Sequence, residues 1–168
     1  HAFFHCQTCD IYYQYPRLDP DDEARFYTKE FEKFMETRAG RSGGWQKANN
    51  HISVNEDTRL RRMKYLEPYL KENINILEVG CSSGFMLYPL EKKGHHCVGI
   101  EPSGVFSDFV KKNNITVHNS VEKLIENSPE QKFDLIMHFF VLEHITDPSG
   151  MLRLINQQLN DDGIVCVI

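Results

Sequence analysis

Seven residues, Glu78-Val79-Gly80-Cys81-Ser82-Ser83-Gly84, follow an apolar run, and a lone acid, Glu101, closes the next apolar run seventeen positions beyond Gly84. Glycine at 80 and 84 lets backbone approach a ligand closely and adopt positive φ, and Ser82 keeps the turn small. A bulky side chain at Gly80 is expected to exclude the ligand. A carboxylate at the end of the second strand can accept two hydrogen bonds from a ribose diol. The plainer alternatives are an ordinary strand-to-helix turn and a helix-capping acid.

The details narrow the ligand. A dinucleotide turn, G-x-G-x-x-G, needs glycine at 82 and 85, where Ser82 and Phe85 stand. A phosphate loop needs Gly-Lys-Ser/Thr, and Gly84-Phe85-Met86 supplies none of it beyond the glycine. A cofactor with a ribose and no phosphates fits the remaining pattern, as S-adenosylmethionine does.

Beyond the run FDLIMHF, His144 beside Glu143 is the best-placed general base, with His138 and Phe139 on the same approach. The competing reading makes Asp147-Pro148 a helix start and gives His144 or Glu143 a hydrogen bond to the loop. Tyr12, Tyr13, Tyr27 and Trp45 are lid candidates, although Tyr27 reads better as packing.

These residues need a sheet to hold them in one place. Strands are expected at 74–80, 96–101, 115–118, 133–139 and 163–168, alternating with helices at 84–93, 103–112, 120–127 and 148–159. Short apolar strands alternating with helices imply right-handed crossovers, and hence a Rossmann-like, doubly wound, mostly parallel α/β sheet covered on both faces. Upstream, residues 1–16 read as a β-ribbon or loop ending at Pro16. Asp19-Pro20 starts a helix to about Thr37, and AGRSGGWQKANN reads as a loop. A helix capped by Asn55 is expected to bury Leu60, Met63, Leu66 and Leu70. The chain thus divides into an N-terminal extension, 1–54, and a main domain, 55–168, whose last strand runs into the chain end as if truncated.

ILEVGCSSG, the acid of GIEPS and FDLIMHFFVLEHITDP together resemble the motifs of class I S-adenosylmethionine-dependent methyltransferases. The resemblance covers about residues 55–168 and implies a sheet whose first five strands are present here. It implies that Glu78, Gly80, Cys81, Ser82 and Gly84 border the methionine part and that Glu101 holds the ribose. Pro102 and Ser103 would flank the adenine, as would Asn119, Ser120 and Val121, with His138 and Phe139 completing the cofactor site. The commonest form of the motif has a third glycine where Ser82 stands and often aspartate where Glu78 stands. Relatives with E-x-x-E-H after the fourth strand bind a divalent metal, but the first glutamate position is Phe140, so no metal is expected. The segment FHCQTCDIYYQYPR resembles the tail of a cysteine-rich zinc element. Zinc at Cys6 and Cys9 would need partners such as His1 and His5, so it is not the expectation for this chain.

Composition bounds the rest. A net charge of −5, with Lys and Arg scattered apart from Arg59, Arg61, Arg62 and Lys64, makes nucleic acid a poor partner. No apolar stretch approaches the roughly 20 residues of a membrane span. Five cysteines, three in or beside apolar runs, read as reduced thiols and place the chain in the cytoplasm. The leading expectation is methyl transfer to a small-molecule acceptor, such as a sugar nucleotide or another biosynthetic intermediate. A non-catalytic binding or assembly module and a nicotinamide-dependent oxidoreductase are the alternatives. Acceptor and oligomeric state are left open.

Overall fold

The computed structural model describes residues 2–31, 33, 34, 37 and 48–168, without the side chains of Pro20, Ala48 and Asn49. Trp45, His1, Met35 and most of the expected loop at 39–50 lie outside the described residues.

The aromatic N-terminus forms an antiparallel ribbon of β1 (Ala2–Cys6) and β2 (Ile11–Tyr15), paired from Ala2 opposite Tyr15 to Cys6 opposite Ile11. Helix α1 (Pro20–Arg25) starts where expected because Oδ1 of Asp19 accepts the amide of Asp22 at 2.8 Å. It runs on into a π-helical turn, Phe26–Glu30.

Helix α2 (Ala48–Val54) begins inside the stretch expected to be loop, and α3 (Glu56–Leu66) follows after Asn55. The Asn55 side chain does not cap α3; its Nδ2 donates instead to the carbonyl of His51 at 2.8 Å. Met63 and Leu66 of α3 are buried, but Leu60, expected in the core, is 49% exposed. Met63, Leu66 and Leu70 are three or four positions apart and share a stripe. Leu60 lies three before Met63, at the edge of that stripe.

The five-stranded sheet is wholly parallel, in the order β5-β4-β3-β6-β7. Its strands are β3 (Asn75–Val79), β4 (His96–Ile100), β5 (Thr116–His118), β6 (Phe133–His138) and β7 (Leu159–Val167). The intervening helices are α4 (Leu87–Lys92), α5 (Gly104–Lys112), α6 (Val121–Asn127) and α7 (Pro148–Gln157). Alternate strand residues serve two cores. Ile76, Leu135 and Met137 pack with Met63, Leu66, Leu87, Leu90 and Val110, whereas Leu77, Val79 and Ile136 pack with Val121, Leu124, Met151 and Ile155. This is the doubly wound arrangement expected, each fully buried aliphatic side chain contributing about 1.5–3 kcal/mol.

Strand β7 starts at Leu159, four residues before the expected strand, with an irregular register between Phe133 and Leu135 of its partner. Asp134 explains the early start. Its Oδ1 accepts Nδ2 of Asn160 at 2.7 Å and its Oδ2 accepts the amide of Asn75 at 2.8 Å, tying β7, β6 and β3 together at their amino ends.

Candidate active site

The chain leaves β3 toward β4 and β5 on one side, then crosses back to place β6 and β7 on the other. Connections therefore part in opposite directions from the carboxyl ends of β3 and β6, which leaves a crevice there, the usual ligand position of open α/β sheets. Every residue expected to bind cofactor except Val121, which opens α6, sits at the carboxyl end of β3, β4, β5 or β6, or in the loop that follows it.

The turn after β3 is left-handed at three places: Gly80 at φ +74°, Ser82 at +49° and Gly84 at +72°. Serine thus occupies backbone that favours glycine, with short polar side chains tolerated best. A Cβ on Gly80 would lie 2.6 Å from Cγ2 of Val141, so the first obstacle to a larger residue is the loop after β6, before any ligand.

Glu101 holds this turn. Its Oε2 accepts the Ser82 amide at 2.7 Å and its Oε1 accepts the Ser103 amide at 2.8 Å. It is only 7% exposed. Burial raises its pKa, and the amides of Ser103 and Ser82 oppose that rise by stabilising the anion. Each carboxylate oxygen has a second lone pair, so the side chain that shapes the turn can also accept from a ligand.

The other expected residues divide by what they expose. The Cys81 sulfur is buried, and a Cβ on Gly99 of β4 would sit 2.5 Å from it, so Cys81 offers a ligand only backbone. Pro102 is half-buried and Ser103 buried, Asn119 is exposed, Ser120 caps α6 by accepting the Lys123 amide at 3.3 Å, and Val121 is in the core. His138 is fully buried and neither ring nitrogen has a partner among the described residues. Burial lowers its pKa and the nearby Glu143 carboxylate raises it.

His144 and Glu143 lie in a 3-10 turn, Leu142–His144, and both are exposed. Arg17 donates to the carbonyls of Ile145 at 3.1 Å and His144 at 3.2 Å, Thr146 Oγ1 donates to Glu23 at 2.6 Å, and the Tyr27 ring stands 6.5 Å from the His144 ring. The N-terminal segment therefore grips three successive residues of this loop. Burial, followed by Glu23, raises the Tyr27 pKa; Glu101 and Glu143 add to the rise and Arg17 opposes it, which places its phenol among the charges of the crevice as well as in packing.

Three residues, Arg62, Phe140 and His51, were not singled out for the site from the sequence. Arg62 of α3 lies over Phe139 at 4.3 Å, Phe85 at 5.3 Å and Phe140 at 5.8 Å. It forms no ion pair among the described residues, and burial lowers its pKa, opposed by Glu78. Glu78 is fully enclosed, Oε2 has no partner among the described residues, and burial raises its pKa well above its ordinary value, with Arg62 opposing and Glu101 adding to the rise. The signal for Arg62 was its place on the face that also carries Leu66, four positions on. Phe140, 62% exposed, adopts φ +57°, an uncommon and strained choice for a bulky side chain. His51 of α2 shares a hydrogen bond of 2.7 Å between its Nδ1 and the hydroxyl of Ser83.

Cys6, the last residue of β1, and Cys9, in the turn that follows it, are free thiols, and among the described residues no group of three or more His, Cys, Asp and Glu side chains is placed to hold a metal.

A parallel α/β sheet with a left-handed glycine-serine turn at its switch point, tied to an acid at the end of the next strand, defines a Rossmann-like fold. A methyltransferase-domain family profile matches residues 27–168, and the chain belongs to that family. It is 26% identical over 157 residues to the ubiquinone biosynthesis O-methyltransferase of Rhodopseudomonas palustris strain TIE-1, covering 89% of this chain and 61% of that protein. It is 30% identical over 151 residues to the tRNA U34 carboxymethyltransferase of Nautilia profundicola, covering 86% of this chain and 50% of that protein. The chain thus spans less than two thirds of the length of these relatives. The fold is shared with the plantazolicin methyltransferase BpumL solved with S-adenosylhomocysteine (TM-score 0.57, 16% identity, 86% of this chain and 56% of that one). It is also shared with a S-adenosylmethionine-dependent methyltransferase from Geobacter sulfurreducens solved with the same ligand (TM-score 0.52, 18% identity, 66% and 47%).

Proposed function

We propose that the chain binds S-adenosylmethionine at the carboxyl edge of the sheet and transfers its methyl group to a small-molecule acceptor. The observation that carries this is the left-handed turn at Gly80, Ser82 and Gly84 held by both oxygens of Glu101. The residues fit the cofactor at both ends. Glu101 offers spare lone pairs to a ribose diol, with Pro102, Ser103, Asn119, Ser120 and Val121 around the base. At the other end Arg62, without an ion-pair partner among the described residues, suits a carboxylate, and Oε2 of Glu78, likewise unpartnered among them, suits an ammonium. The backbone of Gly80 to Gly84 lies between them, with His138 and Phe139 flanking.

S-adenosylmethionine supplies a methyl group already activated by the positive sulfur. What is left to the protein is alignment, exclusion of water and removal of a proton from the acceptor. His144 serves as the base and Glu143 as its electrostatic support, both on the loop gripped by Arg17 and Glu23. The acceptor is a hydroxylated biosynthetic intermediate, in keeping with the name of the ubiquinone-pathway relative; a sugar nucleotide is a narrower version of the same class. A net charge of −5 speaks against a tRNA acceptor. Five free cysteines fit a cytoplasmic place of action. No helix among the described residues is long and apolar enough to cross a membrane.

Calorimetric titration with S-adenosylmethionine, S-adenosylhomocysteine and NAD tests the cofactor assignment. Micromolar binding of the first two alone is expected; binding of NAD instead would replace it with hydride chemistry. A methyl-donor assay across phenols, sugar nucleotides and tRNA then separates the acceptors.

A further inference from the structure

Among the described residues, the non-glycine positions at positive φ are Asp10, Asn73, Ser82, Asn114 and Phe140. Four of them are short and polar, the side chains that left-handed backbone tolerates best, whereas Phe140 at φ +57° is bulky. Its neighbours hold it there. The Phe140 amide donates to the carbonyl of Ile168 at 2.8 Å, the His144 amide donates to the carbonyl of Val141 at 2.9 Å, and Val141 packs against the second core. In extended backbone consecutive side chains point to opposite faces. Phe139 and Phe140 nevertheless both flank the Arg62 guanidinium, at 4.3 and 5.8 Å. The left-handed residue breaks the alternation and brings a second ring to the side of Arg62. That ring gains little burial, since it stays 62% exposed. Backbone strain that buries so little is the kind that gathers at ligand-binding positions.

We propose that Phe140 is a specificity-determining residue for the acceptor, its exposed ring stacking on a planar one, so that the chain takes a phenol or catechol in preference to a sugar hydroxyl. The inference rests on the cofactor assignment above. There Arg62 marks the methionine end, and an acceptor hydroxyl has to come to that end to meet the methyl group. Phe140 flanks Arg62 and shares its loop with His144. The rings of Phe85, Phe139 and Phe140 around the guanidinium carry no hydrogen-bonding group. A sugar needs partners for the hydroxyls beside the reacting one, whereas an aromatic acceptor gains contact by offset stacking without them. An imidazole base also suits a phenol, whose ordinary pKa of about 10 lies far below that of an aliphatic hydroxyl.

The test uses the whole chain saturated with S-adenosylhomocysteine, and two probes with neighbouring hydroxyls, catechol and the non-planar cis-cyclohexane-1,2-diol, titrated by saturation-transfer NMR. Catechol is expected to bind and the saturated diol to bind far more weakly. Phe140→Asn removes the ring and suits left-handed backbone. It should weaken catechol about fivefold, the worth of one aromatic pair, while S-adenosylhomocysteine affinity holds and the urea midpoint does not fall. Phe140→Tyr, which keeps the ring, should hold catechol affinity within about twofold. No binding of catechol, equal binding of the two probes, or catechol affinity that survives Phe140→Asn would overturn the role of Phe140 while the cofactor assignment stands. A urea midpoint that falls in Phe140→Asn would overturn it as well, because the ring would then be serving the fold. Failure of the unmodified chain to bind S-adenosylhomocysteine would overturn the cofactor assignment, and the role of Phe140 with it.

Discussion

The amide of Ser82, in left-handed backbone at φ +49°, donates to Oε2 of Glu101 across 2.7 Å, so the acid at the end of one strand sets the shape of the turn at the end of its neighbour. Glu101 therefore has two tasks, one in the free protein and one with ligand. Glu101→Ala is expected to weaken binding of S-adenosylhomocysteine by about 1–3 kcal/mol. It should also lower the unfolding midpoint, because the buried amide of Ser103 and the half-buried amide of Ser82 lose their acceptor. Glu101→Gln, which keeps one acceptor oxygen, should fall between. Calorimetry on the folded variants decides it, and unchanged affinity in Glu101→Ala would remove the ribose role.

Gly80→Ala combines a positive φ with a Cβ placed 2.6 Å from Cγ2 of Val141. The change should destabilise by about 1–3 kcal/mol even without ligand, since backbone strain and overpacking each reach that range. Val141→Ala in the same chain should recover the part due to the clash and leave the part due to φ. Chemical denaturation of the two single variants and the pair separates these contributions.

Arg62 over Phe139 offers a half-buried cation that has no paired acid among the described residues. If it receives the methionine carboxylate, Arg62→Met should reduce affinity for S-adenosylhomocysteine about tenfold or more. Binding of 5′-methylthioadenosine, which lacks the amino-acid end, should hardly change. Equal loss for both ligands would show that Arg62 supports the fold of the crevice and not the carboxylate.

Burial lowers the pKa of His51 from 6.5 to about 4. The unfolded chain therefore binds more protons between these values, so stability conferred by the neutral ring is full above pH 6.5 and is lost as the pH falls toward 4. The limiting loss is roughly 3 kcal/mol. His95, His118 and His138 are also lowered by burial and act in the same direction. His51→Gln should thus flatten part of the decline in urea midpoint between pH 7.5 and pH 5. A decline as steep as that of the unmodified chain would show that His51 is not held neutral.

Much of the fold was legible in the chain because parallel strands buried on both faces are short apolar runs, and the helices between them carry their own period. The turn after β3 and Glu101 were legible for the same local reason, since glycine, serine and a lone acid at strand ends are read from spacing. The start of β7 was not, because Asp134 and Asn160 decide it from strands distant in sequence. Nor was the exposure of Leu60, which lies at the edge of the stripe that α3 buries.

By itself the sequence determined the order of strands and helices, the residues able to take left-handed backbone, and the acids and histidines available at the strand ends. Tertiary structure alone decided which of them meet. Only packing turns the Cys81 sulfur inward against Gly99, brings Arg62 over Phe139 and sets His51 on Ser83. The physical reason is range: backbone preference and hydrophobic period act over a few residues, whereas burial, desolvation and hydrogen bonding at the crevice join groups that the chain holds tens of residues apart.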